Sequence, residues 1–503
     1  MMESNQTAPE YSTALDQPPL RLAAAFSLER AAWLLVILIA LLTRFYMLGE
    51  RVISHDESLH TYYSWQLYRG QGFQHTPLMH GPFQFHAVAL SYFLFGANDF
   101  TSRVPAALFG VGAVALLWWF RPWLGRKGAL AAAAMLTISP YMLYYARYVR
   151  NEAFVVVWGL LMALATLRYF ADRRPRWLYL MALAVALNHA TKETAFIYDA
   201  IWLLFLAVLY AADLWRGPWR TRNMHLLFWS LLVGGLFGGA AVGGLMFAAR
   251  LVLPAGIGLA VLACAALIAA LIVAWRGLPS AARVTPSFDL LIVLGTLVLP
   301  QLVAFPVKLV LQRDPLDYTP AGMWVTGPVL AALVLLSAAV GLVWDRRRWP
   351  IIAGIFTAIY LMLFTTMFTN GQGVATGIVG SLGYWLDQHG VQRGSQPWYY
   401  YAGLQVPFYE FLPALGGLLA CAVTLLQLRP RAVPAIPSEP RPAFPAIAFL
   451  CFWSVLALFS YSTAGEKMPW LTVHIALPLI LAGGWIFGKF LEQVPWPAVW
   501  QKH

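Results

Sequence analysis

The chain has 503 residues, of which 60% are hydrophobic and only 11% are charged, and its mean hydropathy is +0.65. Soluble domains average about 25% charged residues, so the composition excludes a soluble globular protein and indicates an integral membrane protein. The net charge of +12 would suggest nucleic-acid binding in a soluble chain. In a membrane protein it follows from orientation, and no nucleic-acid partner is expected.

Residues 1–27 are rich in polar residues and contain proline, and we expect them to form a disordered cytoplasmic segment. The first apolar stretch after them would then act as an uncleaved signal anchor. The three cysteines all lie in apolar runs, which argues against a disulfide framework.

The apolar stretches predict an all-α, polytopic integral membrane protein. Each crossing of the hydrocarbon core needs about 20 apolar residues, and the chain offers about 13 to 14 such stretches. Juxtamembrane helices are expected in addition in the first outer loop. The predicted spans are 31–49, 103–120, 128–145, 153–171, 177–191, 195–212, 225–248, 253–275, 288–310, 325–343, 350–369, 409–427, 443–460 and 470–488.

The loops between these stretches alternate between two chemistries. One set is basic and includes "RPWLGRKG", "DRRPRW" and "WDRRRW", whereas the other mixes acidic and basic residues and includes "SHDESLH", "YARYVRNE" and "AGEKMPW". Short loops rich in lysine and arginine stay in the cytoplasm. Both termini are therefore predicted to be cytoplasmic, with the mixed loops outside a plasma membrane.

This topology divides the chain into four parts, and no soluble domain large enough to fold alone is expected after the last span. The parts are the N-terminal segment 1–27, a transmembrane module at 28–215 with the first outer loop at 50–102, additional transmembrane helices at 216–490 with outer loops at 370–408 and 461–470, and a cytoplasmic tail at 491–503.

The first outer loop opens with "SHDESLH", where the chain leaves its first span. Ser54 and Glu57 have the spacing of a capping box, which predicts a helix over 55–69 that lies on the membrane surface. The capping box can account for Glu57 entirely, but it leaves Asp56 unexplained. A partly desolvated carboxylate at a helix start can act as a general base toward a substrate hydroxyl.

The same loop holds five of the ten histidines. Their spacing lacks a sharp zinc signature such as H-E-x-x-H. Interfacial hydrogen bonding is the expected role for most of them, and a divalent metal ion is the alternative. These residues are His55, His60, His75, His80 and His86.

Ionisable residues near the outer ends of the spans are candidates for function, because charge is costly in the membrane. Arg44 lies about 14 residues beyond Arg30, which is about 21 Å along a helix, and we expect its side chain to snorkel outward. Arg147 and Arg150 are three residues apart and share a helical face, and Glu152 follows them. A local ion pair is the alternative to a site there.

Two further outer turns carry a lysine beside a glutamate. "NHATKETAF" places Lys192 and Glu193 at a tight turn, and "STAGEKMPWL" places Glu466 and Lys467 before the last span. One such pair is common on surfaces, but four outer turns that each combine a cation with a carboxylate predict a shared cavity. Arginine and lysine suit a phosphate, so the residues alone predict an outward-facing site for an anionic lipid substrate.

Six segments in a particular order narrow this prediction. The set resembles the GT-C superfamily of polytopic glycosyltransferases, in the branch of protein O-mannosyltransferases and aminoarabinose transferases. It is similar to the prokaryotic flippase activity-associated family, and the likeness extends over residues 40–200 and 455–480. The segments are "LLTRFYMLGERVISHDES", "HGPFQFH", "RVPAALFGVGAVALLWWF", "SPYMLYYARYVRNE", "ATKET" and "GEKMPWLTVHIALP".

The resemblance implies a GT-C fold whose catalytic module is 28–215. It also implies transfer of a sugar from a polyprenyl-phosphate donor to an extracytoplasmic acceptor, with inversion at the anomeric carbon. Asp56 would then be the base or would orient the acceptor, with Glu57 beside it and Glu152 as a second acidic position. The residues implied near the carrier phosphate are Arg147, Arg150, Lys192 and Lys467. The other substrate-site candidates are His55, His60, His80, Glu193 and Glu466.

The acceptor stays open between protein, lipid and polysaccharide, because no large periplasmic domain like that of oligosaccharyltransferases is expected. The alternative function is a transporter, or an accessory for flipping lipid-linked sugars without catalysis. A transporter would place charges near the midplane, on interrupted helices in repeated halves, whereas here they cluster at one face. A structural assembly factor with a degenerate site is a third possibility.

Overall fold

The computed structural model describes residues 27–247, 253–388, 391, 395–427 and 445–494, and every regular element within them is helical. This confirms the all-α prediction. Residues 1–26, the basic loop at 428–444 and the tail at 495–503 lie outside the described residues. The α-helices of six residues or more are α1 (Leu28–Phe45), α2 (His55–Tyr68), α3 (Phe83–Phe95), α4 (Asp99–Leu116), α5 (Arg126–Ile138), α6 (Pro140–Tyr145), α7 (Glu152–Asp172), α8 (Pro175–His189), α9 (Ala195–Trp215), α10 (Arg222–Phe247), α11 (Leu253–Gly277), α12 (Pro286–Val298), α13 (Pro320–Trp344), α14 (Arg348–Phe364), α15 (Ser381–Gln388), α16 (Phe411–Gln427), α17 (Ala446–Thr463) and α18 (Thr472–Gln493).

Seven helices in the described residues are long and apolar enough to cross a membrane, and a pair bent by 113° at Glu410 adds an eighth if it forms one span. Fewer helices are long enough to cross a membrane than the sequence predicted, because several predicted spans form short helices. α5 has 13 residues and α8 has 15. At about 1.5 Å per residue, neither reaches across a hydrocarbon core of about 30 Å. The seven are Asp99–Leu124, Glu152–Asp172, Ala195–Trp215, Arg222–Ala241, Pro320–Trp344, Ala446–Thr463 and Pro469–Gln493.

Two helices form the centre of the protein. The apolar windows of α7 and of the segment containing α18 are 83% and 89% buried, whereas that of α13 is only 17% buried. Small residues bring α18 close to α5, since a Cβ on Gly128 would lie 3.0 Å from the carbonyl oxygen of Gly484. Close approach of this kind stabilises helix pairs in membranes. The site described below is built at the outer ends of these two central helices.

The side chain of Arg44 does not snorkel outward, which corrects the expectation from the sequence. It is fully buried, and its guanidinium donates to the carbonyls of Leu136 and Thr137 at 3.1 and 3.3 Å. Those carbonyls are free because Pro140 lacks an N–H group and cannot continue α5. The cation therefore satisfies the C-terminal end of a short helix inside the bundle.

The first outer helix is fixed by a buried carboxylate. Glu57 closes the predicted capping box by accepting from the Ser54 N–H at 3.2 Å. The same side chain accepts from Nε and Nη2 of Arg103 at 2.9 and 3.0 Å and from the N–H of Val149 at 3.1 Å. Both Glu57 and Arg103 are fully buried. We call this arrangement the Glu57–Arg103 clamp, because it joins α2 to α4 and to the segment before α7.

The second half of the first outer loop packs against two other outer segments. The N–H groups of Gly81 and Phe83 donate to the carbonyls of Thr191 and Ala190 at 3.1 and 2.8 Å. On the other side, His75 Nδ1 lies 2.9 Å from the hydroxyl oxygen of Thr376. Outer segments that are distant in the chain thus form one layer.

We expect Gly81→Ala to disrupt this layer. A Cβ at this position would overlap the carbonyl of Ala190 and would lie 2.7 Å from the nitrogen of Thr191, so the loop must move away. Gly112→Ala is the control, because a Cβ there meets nothing within 4 Å. Limited proteolysis of the outer loops should become faster in Gly81→Ala only. Equal protection in both variants would contradict the packing.

The clamp predicts a specific pH dependence of stability. Burial raises the pKa of Glu57, but hydrogen bonds from Arg103 and from two N–H groups lower it by more. The net pKa of Glu57 is therefore below its normal value. The clamp therefore stabilises the fold above the unfolded pKa of about 4.3, and this contribution is lost as pH falls through the folded pKa. In Arg103→Met the carboxylate loses its buried partner and keeps only Arg51, which is 39% exposed and lies 2.9 Å from Oε2 of Glu57, so we expect a cost of about 3 kcal/mol.

We expect Arg103→Met to lower the thermal unfolding temperature in detergent at about pH 7, with a smaller difference from wild type at about pH 5. The difference shrinks because the buried carboxyl of the variant, left with the partly exposed Arg51 as its cation, takes up a proton more readily. Arg126→Met is the matched control, since Arg126 pairs with Glu29 but is largely exposed, and it should change little at either pH. A difference for Arg103→Met that is the same at both pH values would argue against the clamp.

Candidate active site

Three outer connections meet in a row of alternating charges. Asp56, in the first turn of α2, forms an ion pair with Arg150, which lies just before α7. Nε of Arg150 lies 3.3 Å from Oε2 of Glu152, and Oε1 of Glu152 lies 2.5 Å from Nζ of Lys192. We call Asp56, Arg150, Glu152 and Lys192 the charged row.

Exposure falls sharply along this row. The side chain of Asp56 is 39% exposed, that of Arg150 is 6% exposed, and those of Glu152 and Lys192 are 0% and 4% exposed. Glu152 is the first residue of α7, where the helix dipole favours a negative charge. The buried end of the row is therefore fixed, and Asp56 is its open end.

The last outer turn supplies the aromatic wall of the site. The guanidinium carbon of Arg150 lies 3.6 Å from the centre of the Trp470 ring, which is a cation–π contact. One turn further along, His474 is fully buried, and its Nδ1 lies 3.2 Å from the Tyr198 hydroxyl. Nε1 of Trp470 and Nε2 of His474 are buried without a hydrogen-bond partner among the described residues. This wall retains polar groups that a ligand can satisfy.

The turn that carries Lys192 is held from both sides. Oε2 of Glu193 lies 2.6 Å from Nδ1 of His80, and Nε2 of His189 lies 2.6 Å from Oδ2 of Asp199. Burial raises the pKa of Glu193, but the adjacent His80 lowers it more, so the net pKa is below its normal value. The ammonium group of Lys192 is thus presented by a turn with little freedom.

His60 positions the backbone of Asp56. Its Nδ1 donates to the carbonyl oxygen of Asp56 at 2.8 Å. Burial, and then the nearby charge of Arg150, lower the pKa of His60 to about 4. The imidazole is therefore neutral at neutral pH and adds no charge beside the row.

The other sequence candidates are not members of the charged row. Arg147 and Lys467 each donate to a main-chain carbonyl, at 2.5 and 2.8 Å. The carboxylate of Glu57 is occupied in the clamp. His55 is exposed and Glu466 is half-buried.

Sequence reasoning missed three residues of this region: Arg103, Trp470 and His474. Arg103 lies near the start of a predicted span, but its partner Glu57 is 46 residues away, so no local pattern links them. Trp470 and His474 belong to "KMPWLTVH", in which the sequence predicted a site role only for Lys467. The single signal was polarity, since a histidine and a tryptophan open an otherwise apolar span.

No group of three or more histidine, cysteine, aspartate or glutamate side chains in the described residues is placed to bind a metal ion. The histidines of the first outer loop instead make separate contacts. Burial lowers the pKa of His75 to about 4. The partners are the Asp56 carbonyl for His60, Thr376 for His75, Glu193 for His80 and the Pro82 carbonyl for His86.

Comparison with known proteins finds one family match. Residues 79–238 match the model described as dolichyl-phosphate-mannose-protein mannosyltransferase, and no curated protein matches the chain. The oligosaccharyltransferase of Archaeoglobus fulgidus, solved with Zn and sulfate, overlays 92% of this chain at 13% identity and a TM-score of 0.44. ArnT from Cupriavidus metallidurans, bound to undecaprenyl phosphate, overlays 94% at 15% identity and a TM-score of 0.31.

The chain spans 49% of the archaeal protein and 79% of ArnT. Both overlays are loose, so the assignment depends on the family match. Arg150, Glu152 and Lys192 fall within the matched residues, and Asp56 precedes them. The match over residues 79–238 confirms, for that part of the chain, the resemblance to the GT-C superfamily of glycosyltransferases seen in the sequence.

Proposed function

We propose that the protein transfers a sugar from a polyprenyl-phosphate-linked donor to an acceptor hydroxyl at the extracytoplasmic face of the plasma membrane, with inversion at the anomeric carbon. The charged row is the observation that carries this proposal. It combines one accessible carboxylate with two nearly buried cations, which are the groups that such a transfer requires.

Each group of the row has a distinct role in the proposed reaction. Arg150 and Lys192 bind the donor phosphate, because a guanidinium forms paired hydrogen bonds to phosphate and an ammonium adds a point charge. Glu152 contacts both cations and holds them together. Arg147 and Lys467 lie at the edge of the site and attract the anionic headgroup from the membrane surface.

The transfer itself is a single displacement. The acceptor oxygen attacks the anomeric carbon from the face opposite the phosphate, and its proton passes to Asp56. The bond between the anomeric carbon and the phosphate oxygen breaks, and its electron pair leaves with the polyprenyl phosphate. The cations stabilise this leaving group, and Asp56 releases its proton to solvent through its exposed side.

We expect Asp56→Asn to reduce transfer by about 100-fold or more, the typical contribution of a general base. The purified protein in nanodiscs is supplied with radiolabelled polyprenyl-phosphate sugars and with an extract of candidate acceptors. Label leaving the lipid fraction measures transfer. The unfolding temperature should stay near that of wild type, because Asp56 is the exposed end of the row.

Asp99→Asn provides the control, since it removes an exposed carboxylate from the same outer layer. It should keep full transfer. Full activity in Asp56→Asn would remove Asp56 from the chemistry. Movement of the labelled headgroup across the bilayer without release of sugar would favour the transporter instead.

A further inference from the structure

The contact between Asp56 and Arg150 occupies the two groups that the proposed reaction needs to be free. A carboxylate oxygen that accepts from a guanidinium cannot take a proton from an acceptor hydroxyl with the same lone pair. The same N–H group of Arg150 cannot bind a phosphate oxygen while it donates to Asp56. In the structure, Oδ2 of Asp56 and Nη1 of Arg150 are therefore engaged with one another.

The two carboxylates beside Arg150 differ in how easily they can move away from its guanidinium. Glu152 is buried, accepts from Lys192 and sits at the N-terminus of α7. Asp56 is 39% exposed, and Arg150 is the partner of its side chain. Arg150 is held in place by Glu152 and by the Trp470 ring. An arriving anion can displace Asp56 while the guanidinium stays where it is.

Charge balance also favours exchange over simple addition. The charged row contains two carboxylates and two cations, so it is neutral when every member is ionised. A phosphate that merely added to the row would leave a net negative charge in a desolvated place, which is costly. A phosphate that replaces Asp56 at Arg150 keeps the buried part neutral and moves the carboxylate to the exposed side.

We propose that the donor phosphate displaces Asp56 from Arg150, and that this exchange frees Asp56 to accept the proton of the acceptor hydroxyl. This inference depends on the proposed function for the identity of the donor. Its consequence is an order of events, because the base becomes available only after the lipid phosphate is bound. The acceptor therefore meets an active site only when the donor is present, which protects the donor from reaction in the wrong order.

The exchange makes a prediction that a simple base role does not make. If Asp56 competes with phosphate, its removal strengthens phosphate binding, even though it abolishes transfer. We expect Asp56→Asn to bind farnesyl phosphate about threefold to fivefold more tightly than wild type, as suits loss of a partly exposed competing ion pair. Binding is measured by thermophoresis of the full chain in phosphatidylcholine nanodiscs, with farnesol as the control for the lipid tail.

Two further variants separate local competition from a general change in charge. Asp99→Asn removes the same charge from the same layer and should leave farnesyl phosphate affinity near that of wild type. In Arg150→Gln the guanidinium for which Asp56 and phosphate compete is absent. Adding Asp56→Asn to that variant should therefore not increase its affinity for farnesyl phosphate. This double-mutant comparison isolates the interaction between the two residues.

The proposal is overturned if Asp56→Asn binds farnesyl phosphate no more tightly than Asp99→Asn, or if neither binds it. It is also overturned if the gain persists in the Arg150→Gln background. These outcomes are independent of sugar transfer. Tighter binding without any transfer activity in wild type would leave the exchange standing and would remove the proposed function. If the wild type transfers sugar but Asp56→Asn binds farnesyl phosphate with the affinity of the wild type, the proposed function stands and the exchange is overturned.

Discussion

The structure depends on the rule that a charge withdrawn from water must find an opposite charge or a set of hydrogen bonds. Glu57 and Arg103 satisfy one another at the base of the first outer loop, and Glu152 at the start of α7 does the same with Lys192 in the turn between α8 and α9. These contacts join segments that are distant in the chain. The same pairs that make burial tolerable also determine where the outer layer sits on the bundle.

The two buried carboxylates have similar surroundings but different uses. Glu57 accepts hydrogen bonds from two N–H groups and from Arg103, so its oxygens are committed to holding α2. Glu152 holds two cations that still face an open carboxylate. One residue therefore orders the layer, whereas the other orders the two cations that the proposed function assigns to the donor phosphate. The two residues can take these separate roles because their partners differ, although both are fully buried.

The predictable features were local and the missed ones were long-range. Ser54 and Glu57 lie within one helical turn, so the capping box and its helix could be read directly from the sequence. The residue types at Asp56, Arg150, Glu152 and Lys192 also drew attention, because ionisable groups are rare in spans. The spacing between them depends on how three turns pack. No periodicity encodes that packing, nor the contact of Arg150 with Trp470.

The shortness of α5 and the buried position of Arg44 have a shared cause. Hydropathy treats each apolar stretch as a full crossing, but Pro140 ends α5 after 13 residues. A short helix leaves free carbonyls inside the bundle, and those carbonyls are the partners of Arg44. A buried cation was thus a consequence of a broken helix, and neither feature could be inferred without the other.

The position of Glu152 explains why the buried part of the charged row is fixed. A carboxylate in the first turn of a helix is stabilised by the free N–H groups there, and α7 is among the most enclosed helices of the protein. Both cation partners of Glu152 are held in place. Lys192 belongs to a turn closed by the His80–Glu193 contact, and Arg150 packs against the Trp470 ring. Fixed charges of this kind need little rearrangement as negative charge develops on a leaving group, which is the source of electrostatic stabilisation in enzymes. In the proposed exchange, the rearrangement is therefore confined to the exposed end of the row, where Asp56 changes partners and the buried charges keep theirs.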